Sequence, residues 1–473
     1  MDARGVIAFL DGLEAGGVEM HSLMLVRHGH VVAEGWWAPY TRDRQQLVYA
    51  VAKTFTATAI ALAIDDGLLD LDWPVTSFFP ASLPLSLDPK VEELTVHDLL
   101  SMSTGHDRDT LPVMESELNG DLAKAFLSTR PQSAVGSRHV DNDGCSVLLG
   151  LIVEQVTGEP LADYLRTRLL DPLGIGELVW REHPSGGVRG STGVHTITEG
   201  LAALGELYLR DGVWQGSRLL PEGWVELATQ SHVVPAGVPE LPDSGVGYGY
   251  QLWMSRHGYR ADGAGGQLVV VLPEQDTVVA TTAAARHSQH LLDHIWADLL
   301  PALGDRIARP DPGAQRKLDA RLAALTLPVG PDPSPERSGW HTNGMVIVQR
   351  VPDAKGWWYP TLFDLGLQPI ADGWALSFVE GEDPLSIDCG DGRWLTSVLE
   401  LPNRTRVPVA ATATAEGPNA SVDVVFLETP HVLHVDLSRI DPEAEGRMAT
   451  LATAKMRWNI PPLHAGSLAD LRA

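Results

Sequence analysis

The residue with the clearest chemical implication is Lys53. It is one of only six lysines in a chain of 473 residues, and it stands just before the almost continuously apolar stretch from Thr56 to Ile64. Such a stretch is typical of a helix that is buried on all sides. In the first turn of a buried helix, both the helix dipole and the loss of hydration disfavour a cation. We therefore expect Lys53 to have a partner elsewhere in the chain.

Two other groups of polar residues have weaker chemical implications. The segment Asp141-Asn-Asp-Gly144 resembles part of a calcium-binding loop but lacks the glutamate that closes such a loop, so a tight turn is the better interpretation. His287, His290 and His294 fall on one face of a helix, and the last two have metal-ligand spacing. No glutamate of a His-Glu-x-x-His motif accompanies them, so we expect a solvated helix face, no metal and no cofactor.

Aromatic residues supply further candidates for a ligand pocket. His106 follows Ser103-Thr-Gly105 and is predicted either to face a cleft or to be a hydrogen-bonded structural histidine. Trp36, Trp37 and Trp253 are candidates for a pocket lining, although an aromatic core is the more common role of tryptophan.

Composition excludes several functional classes. Lysine plus arginine is 35 and aspartate plus glutamate is 61, so the formal net charge is −26, which repels nucleic acid and anionic lipid. The hydrophobic fraction of 44% is typical of a globular chain. No apolar stretch approaches the roughly 18 residues that span a bilayer, and the first residues lack a signal-peptide pattern. We predict a cytoplasmic protein with a small-molecule partner, no nucleic acid and no membrane contact; the oligomeric state stays open.

The elements that must position these residues follow from hydrophobic patterning. We predict a hairpin over 21–37, a buried helix that ends at 64, and helical regions over 95–100 and 145–170. Residues 198–230 are predicted to form two short helices around the turn Asp211-Gly212. Strands are predicted over 247–253, 268–272 and 277–281, and a helix over 287–303. The Pro- and Gly-rich stretch 231–246 is predicted to be a mobile loop. This order predicts an α/β fold in which helices flank an antiparallel sheet and a helical subdomain is inserted.

A change in composition separates the last part of the chain. We predict a main domain over 1–325, a Pro-rich linker over 326–337, and a small all-β domain over 338–473. Short β-type runs at 345–348, 375–378, 421–426 and 432–436 support the last of these.

Several motifs surround Lys53 in a fixed order. They are Tyr49-Ala-Val-Ala-Lys-Thr-Phe55, Gly67-Leu-Leu-Asp-Leu-Asp-Trp-Pro74, Thr95-Val-His-Asp-Leu-Leu-Ser-Met-Ser-Thr-Gly105, Val156-Thr-Gly158, Pro172-Leu-Gly174 and Gly263-Ala-Gly-Gly-Gln267. Together they resemble the serine β-lactamase-like and penicillin-binding-protein-like hydrolases, in the branch of class C β-lactamases and esterases. The resemblance implies a β-lactamase/transpeptidase-like fold for the main domain, and the β-rich tail is similar to the extra domain of some members.

The resemblance also implies catalytic positions at which this chain differs from the family. The family serine that attacks the substrate carbonyl corresponds to Ala50, and the second small hydroxyl corresponds to Ala52. The family tyrosine corresponds to Asp141 by ungapped counting from Gly158, or to Val140 after a one-residue slip. Alanine has no lone pair to attack a carbonyl, and loss of a serine nucleophile lowers kcat on the order of 10⁶-fold. We therefore expect no acyl-enzyme at Ala50.

The same resemblance implies that Asp141 lies opposite Lys53, so an ion pair in the cleft is the simplest arrangement. Either this pair only fills a vacated site, or Asp141 or Asp143 acts as a base while Lys53 steadies negative charge on a substrate. The candidate substrate-binding residues are Ala50, Asn142, His106, Asp262, Gly263 and Trp253, of which Asp262 and Gly263 belong to the third family motif.

Three functional hypotheses stay open. The first is a site repurposed for non-covalent acid/base chemistry of the lyase, cyclase or isomerase type on a small molecule. The second is a catalytically inactive protein that binds a small ligand or peptide. The third is a serine esterase or amidase inactivated by a Ser-to-Ala substitution, natural or engineered. A fold alone does not choose among them.

Overall fold

The computed structural model describes residues 2–117, 119–176, 178–182, 188–304, 311–330, 342, 346–350, 362–439, 452–460, 462, 467–468 and 471. The N-terminal part combines an antiparallel sheet with helices, and the C-terminal part is a curled all-β sheet. This arrangement confirms the predicted fold class.

The helices of the described residues all lie in the N-terminal part. They are α1 (Ala3–Ala15), α2 (Val51–Asp65), α3 (Pro89–Glu92), α4 (Val96–Leu100), α5 (Leu111–Glu115), α6 (Leu122–Ser128), α7 (Asp143–Thr157), α8 (Leu161–Leu165), α9 (Asp171–Leu173), α10 (Thr198–Leu209), α11 (Trp224–Ala228), α12 (Ser288–His294) and α13 (Pro312–Ala323). Short single-turn helical segments join or follow several of them.

The strands of the N-terminal part are β1 (Met20–Arg27), β2 (His30–Trp36), β3 (Gln46–Leu47), β4 (Val179–Trp180), β5 (Val194–Thr196), β6 (Val213–Trp214), β7 (Ser217–Arg218), β8 (Trp253–Met254), β9 (Tyr259–Gly263), β10 (Gln267–Leu272) and β11 (Thr277–Ala283). The strands of the C-terminal part are β12 (Val346–Arg350), β13 (Leu362–Ile370), β14 (Gly373–Glu380), β15 (Asp383–Asp391), β16 (Leu395–Glu400), β17 (Arg406–Glu416), β18 (Asn419–Phe426), β19 (Val432–Arg439) and β20 (Ala452–Trp458).

The main sheet has six antiparallel strands in the order β2-β1-β11-β10-β9-β8. Because side chains alternate along a strand, β1 supplies both of its faces. Leu23 and Leu25 pack into the apolar cluster that includes α1, α12 and α13, whereas Met24 and Val26 pack into the cluster that includes α2 and α10. The sheet is thus covered on both faces, which is why its central strands read as nearly continuous apolar runs.

Helix α2 runs through the core of the helical region. Every residue from Val51 to Ala63 is buried, as predicted for a helix that is apolar all round. Its threonine hydroxyls are satisfied in the core: Thr54 donates to the carbonyl of Gln251 at 3.0 Å, and Thr56 donates to the carbonyl of Gly190 at 2.7 Å. The core fixes the helix axis, so the residues at its N-terminal end have a defined place.

The C-terminal sheet has nine strands. Their order is β12-β20-β19-β18-β17-β15-β14-β13, and β16 pairs with β17. Alternate residues of β18, namely Ala420, Val422, Val424 and Phe426, belong to the apolar core of this sheet. All four predicted β-type runs fall in strands of this sheet, with Met345 outside the described residues.

Two predicted elements differ from the structure. The strand over 247–253 is wrong for most of its length, because only Trp253 of that run is in β8. Gln251 has a φ of 56°, and a Cβ added at Gly249 would lie 2.0 Å from the carbonyl oxygen of Ala228, so this segment turns sharply against α11. The helical region over 145–170 is interrupted at Gly158, which ends α7 with a left-handed φ of 72°.

The first residues of the predicted linker pair with the segment that follows β2. The amide of Leu327 donates to the carbonyl of Ala38 at 2.8 Å, and residues 331–337 lie outside the described part of the chain. Among the described helices, none alone is long and apolar enough to cross a membrane; one bent pair, Asp143–Thr157 with Leu161–Leu173, reaches the required length and composition together.

Candidate functional site

The N-terminal end of α2 forms the floor of a cleft. Ala50 is the residue that caps α2, and Tyr49 before it has a left-handed φ of 46°, so the chain turns abruptly into the helix. Lys53 follows one turn later, and only 6% of its side chain is exposed. The residues Tyr49, Ala50 and Lys53 all line this cleft.

Two aspartates from the start of α7 hold the ammonium group of Lys53. Its Nζ lies 2.7 Å from Oδ1 of Asp141 and 2.8 Å from Oδ1 of Asp143. Asn142 between them caps α7 by accepting a hydrogen bond from the amide of Gly144, and this cap fixes the turn that carries both carboxylates. The structure thus forms the ion pair between Lys53 and Asp141, and it adds Asp143 as a second partner.

The charges in this cluster reinforce one another. Burial alone would lower the pKa of Lys53, but the carboxylates of Asp141 and Asp143 outweigh burial and raise the pKa well above its usual range. The charge of Lys53 in turn lowers the pKa of Asp141, although burial opposes this. Lys53 is therefore a fixed cation and Asp141 a fixed anion at neutral pH, while 63% of the Asp141 side chain stays exposed.

The opposite wall of the cleft comes from β9 and the start of α12. Nε of Arg260 donates to Asp262 at 2.8 Å, and the hydroxyl of Ser288 donates to the other oxygen of Asp262 at 2.6 Å. The guanidinium carbon of Arg260 also lies 5.7 Å from the ring centre of Trp253. The cleft volume is about 380 Å³, and Ser191, Thr192, Leu241, Ser244, Ala264, His287, Gln289 and Leu292 complete its lining.

A buried carboxylate anchors the loop that carries Leu241 and Ser244. Asp243 has no exposed side-chain surface and accepts hydrogen bonds from Arg256, Gln289 and Trp296 at 2.7–3.1 Å. Burial would raise the pKa of Asp243, but these hydrogen bonds outweigh it and lower the pKa to about 2. The predicted mobile loop thus has a fixed point at the cleft.

The residues predicted from sequence fall into two groups. The first group lines the cleft and consists of Lys53, Asp141, Asp143, Ala50, Asp262 and Trp253. Asn142, His106 and Gly263 do not belong to its lining, and each has a structural contact elsewhere. Asn142 is the cap of α7 and binds the hydroxyl of Thr110 at 2.8 Å, and His106 bonds to Thr104 and to the carbonyl of Thr129. A Cβ at Gly263 would lie 2.2 Å from the carbonyl oxygen of Val48, so Gly263 permits a close backbone approach.

Sequence reasoning missed several lining residues. Arg260 stands two positions before Asp262 on the same strand, so the alternation of a strand would have placed both side chains on one face. Ser288 and Ser191 carry no comparable signal, because loops and helix ends far apart in sequence bring them to the cleft.

The described residues contain no group of three or more histidine, cysteine, aspartate or glutamate side chains that could hold a metal ion. His294 bonds to Asp298 at 2.8 Å, one turn along the same helical segment. A larger apolar cavity of about 1010 Å³ lies between β1, β2 and α10, and it contains none of the candidate residues named above.

A model of the family described as Beta-lactamase matches residues 8–302. The chain belongs to the β-lactamase family. Among curated relatives, the 6-aminohexanoate-dimer hydrolase of Paenarthrobacter ureafaciens is 27% identical over 320 residues, which cover 60% of this chain and 78% of the relative. Esterase EstB of Burkholderia gladioli is 26% identical over 204 residues, 37% of this chain and 52% of the esterase. A putative D-alanyl-D-alanine carboxypeptidase of Escherichia coli is 26% identical over 184 residues, 34% of this chain and 42% of that protein.

Solved structures show the same fold. A putative 6-aminohexanoate-dimer hydrolase from Bacillus anthracis superposes with a TM-score of 0.53 at 18% identity, covering 62% of this chain and 81% of that one. The octameric penicillin-binding protein homologue from Pyrococcus abyssi superposes with a TM-score of 0.52 at 18% identity, covering 89% of this chain and 98% of that one. The second match extends through the C-terminal sheet, so this β-lactamase-family member shares its two-part architecture with a known structure.

Proposed function

We propose that this β-lactamase-family protein binds a small molecule in the Lys53 cleft without forming a covalent bond to it. The observation that carries the proposal is Ala50. Its methyl group occupies the start of α2, three residues before Lys53, in the position where the family resemblance implies a nucleophilic serine. An alanine side chain cannot attack a carbonyl, so covalent catalysis at this position is unavailable.

The electrostatics of the cleft support binding over proton transfer. A general base or acid works best when its pKa lies near the working pH. The raised pKa of Lys53 and the lowered pKa of Asp141 move both groups away from neutrality. A fixed cation between two carboxylates is suited instead to orienting the polar groups of a ligand.

The chemistry of the ligand follows from the lining. The lining combines the hydroxyl-bearing residues Ser191, Thr192, Ser244 and Ser288 with the aromatic residues Tyr49 and Trp253, in a volume that suits a compact molecule. The relatives include a 6-aminohexanoate-dimer hydrolase and an esterase by name. We propose that the ligand is a small amide or ester, held through hydrogen bonds to its carbonyl and amide groups.

Non-covalent acid/base chemistry of the lyase, cyclase or isomerase type is the second candidate. One observation favours it: the Asp141 carboxylate is 63% exposed beside the cleft, so a ligand proton can reach it. If this chemistry operates, Asp141→Asn abolishes conversion of the ligand while binding persists.

The test of the proposed function combines binding and turnover on the full chain. A panel of small linear amides and esters, including the 6-aminohexanoate dimer, is titrated by calorimetry, and each mixture is then analysed for products by mass spectrometry. We expect saturable binding of at least one compound and no hydrolysis. Lys53→Met should abolish this binding, whereas Lys124→Met, at an exposed lysine outside the cleft, should not. Hydrolysis by the unmodified chain would contradict the proposal.

A further inference from the structure

The turn between β18 and β19 of the C-terminal sheet reaches the floor of the cleft. The hydroxyl of Tyr49 lies 2.8 Å from Nε2 of His431, and both side chains are buried. Tyr49 lines the cleft and is the residue immediately before Ala50. A side chain that is 382 positions away in sequence therefore contacts the start of α2.

The hydrogen bonds of His431 define its tautomer. Its Nδ1 lies 2.9 Å from the carbonyl oxygen of Ile460, and a carbonyl can only accept, so Nδ1 carries the proton. Nε2 is then an acceptor, and the hydroxyl of Tyr49 donates to it. Burial lowers the pKa of His431 to about 4, so the ring is neutral and this direction holds at neutral pH.

Other residues of the same turn contact neighbouring parts of the cleft. The amide of Leu47 donates to the carbonyl of Glu428 at 2.8 Å, two residues before Tyr49. Pro430 packs against Gly265, where an added Cβ would lie 3.0 Å from the proline ring. Gly265 has a φ of 86° and follows Ala264, which lines the cleft. The turn 427–431 thus contacts residues near the floor of the cleft and a residue beside Ala264 of its lining.

The conformation of Tyr49 makes this support consequential. A φ of 46° is unfavourable for a side chain as bulky as tyrosine, so surrounding contacts must maintain it. This backbone angle sets the direction in which the chain enters α2, and with it the places of Ala50 and Lys53. The contact to His431 is one of the contacts that hold Tyr49 in this conformation.

We infer that His431 is a positioning residue for the cleft, acting through Tyr49, and that the C-terminal sheet is a working part of the site. The inference does not depend on the proposed function, because it concerns the geometry at the start of α2 and not the ligand that binds there.

A cysteine placed at Ala50 provides the reporter. In the Ala50→Cys variant, the thiol sits at a helix N-terminus one turn from Lys53, where a thiolate is stabilised and reacts with iodoacetamide. The two natural cysteines give little background, because both are buried and burial raises the pKa of Cys145 and, to about 12, that of Cys389.

The experiment compares alkylation rates and their pH profiles in full-length chains that carry Ala50→Cys. Adding Tyr49→Phe or His431→Phe should lower the rate at neutral pH by about three-fold or more and shift the profile toward an ordinary thiol. His431→Gln, which keeps an acceptor for the Tyr49 hydroxyl, should restore part of the rate.

Trp394→Phe is the matched control. Trp394 also joins the C-terminal sheet to the rest of the chain, by donating to the carbonyl of Leu327 at 3.3 Å, but it does not line the cleft. This change should leave the alkylation rate unaltered. If His431→Phe does not fold, Tyr49→Phe decides the matter, since it removes only one oxygen. An unchanged rate and pH profile in folded Tyr49→Phe would overturn the inference.

Discussion

At the scale of single residues, the decisive feature is a lysine that cannot lose its proton easily. Lys53 is buried, but Asp141 and Asp143 contact it from one turn of chain and hold it charged. A lysine in this state is a poor base for activating a neighbouring hydroxyl and a good electrostatic anchor. Sequence alone indicated one partner, and the structure adds the second.

Removing the charge of Lys53 should destabilise the fold. Lys53→Met leaves two carboxylates close together without a cation. We expect the free energy of unfolding to fall by about 1–3 kcal/mol. This loss is smaller than for a fully buried ion pair, because solvent screens Asp141. Lys53→Met with Asp141→Leu should recover part of the loss, since the repulsion is gone. Urea denaturation at neutral pH measures both, with Lys124→Met as the control. A Lys53→Met protein as stable as the unmodified chain would contradict this account.

Restoring a serine at position 50 should give little activity. In Ala50→Ser, the hydroxyl needs a base, and the raised pKa of Lys53 keeps its nitrogen protonated. We expect slow p-nitrophenyl acetate hydrolysis from this single variant, and faster hydrolysis when Asp141→Asn and Asp143→Asn are added, because Lys53 then loses the anions that hold its proton. Rapid p-nitrophenol release by Ala50→Ser alone would contradict this expectation and support the hypothesis of an inactivated serine esterase or amidase.

At the scale of elements, the loop before β8 depends on one buried carboxylate. Asp243 joins residues 242–245 to Arg256, before β9, and to Gln289 of α12. This links the loop that carries Leu241 and Ser244 to the opposite wall of the cleft. The hydrogen bonds of Asp243 therefore connect this loop to the segment before β9 and to α12.

The pKa of Asp243 predicts a pH dependence of stability. Its folded pKa of about 2 lies below the usual unfolded value, so its stabilising contribution is present above about pH 4 and is lost as the pH falls toward 2. Asp243→Asn should remove about 2 kcal/mol at pH 7 and flatten the fall in stability between about pH 4 and pH 2. Thermal unfolding across this range measures the effect, and Asp319→Asn, on the exposed face of α13, is the control. If the stability of Asp243→Asn still falls between about pH 4 and pH 2 as it does in the unmodified chain, another group controls this fall.

Some elements could be predicted from sequence and others could not, for physical reasons. The run from Thr56 to Ile64 marks α2 because burial on all sides demands apolar residues throughout. Residues 247–252 carry the composition of a strand but turn sharply at Gln251, since backbone torsion there depends on packing against α11. At the site, the resemblance placed Lys53 opposite Asp141, whereas Ser191 and His431 reach the cleft or its floor only through tertiary packing.

At the scale of the whole molecule, the C-terminal sheet is joined to the cleft and not merely attached behind a linker. A buried apolar cluster spans the two parts of the chain. It contains Tyr40, Ala284 and Leu327 together with Leu427 and Val432, which flank the turn that carries His431. The two parts are thus joined by a buried apolar contact as well as by the linker. The similarity of fold to the Pyrococcus abyssi protein across both parts is consistent with a shared arrangement.

The central claim is that the cleft forms no covalent intermediate, and the mass of the intact protein tests it most directly. The full chain is incubated with a fluorophosphonate probe and, separately, with benzylpenicillin, beside an active serine hydrolase as a positive control. Because Ala50 has no nucleophilic atom, we expect the mass to stay unchanged with both reagents. A stoichiometric adduct on a cleft serine such as Ser288 or Ser191, or on Ser103, would show that another nucleophile has taken over, and would contradict the account.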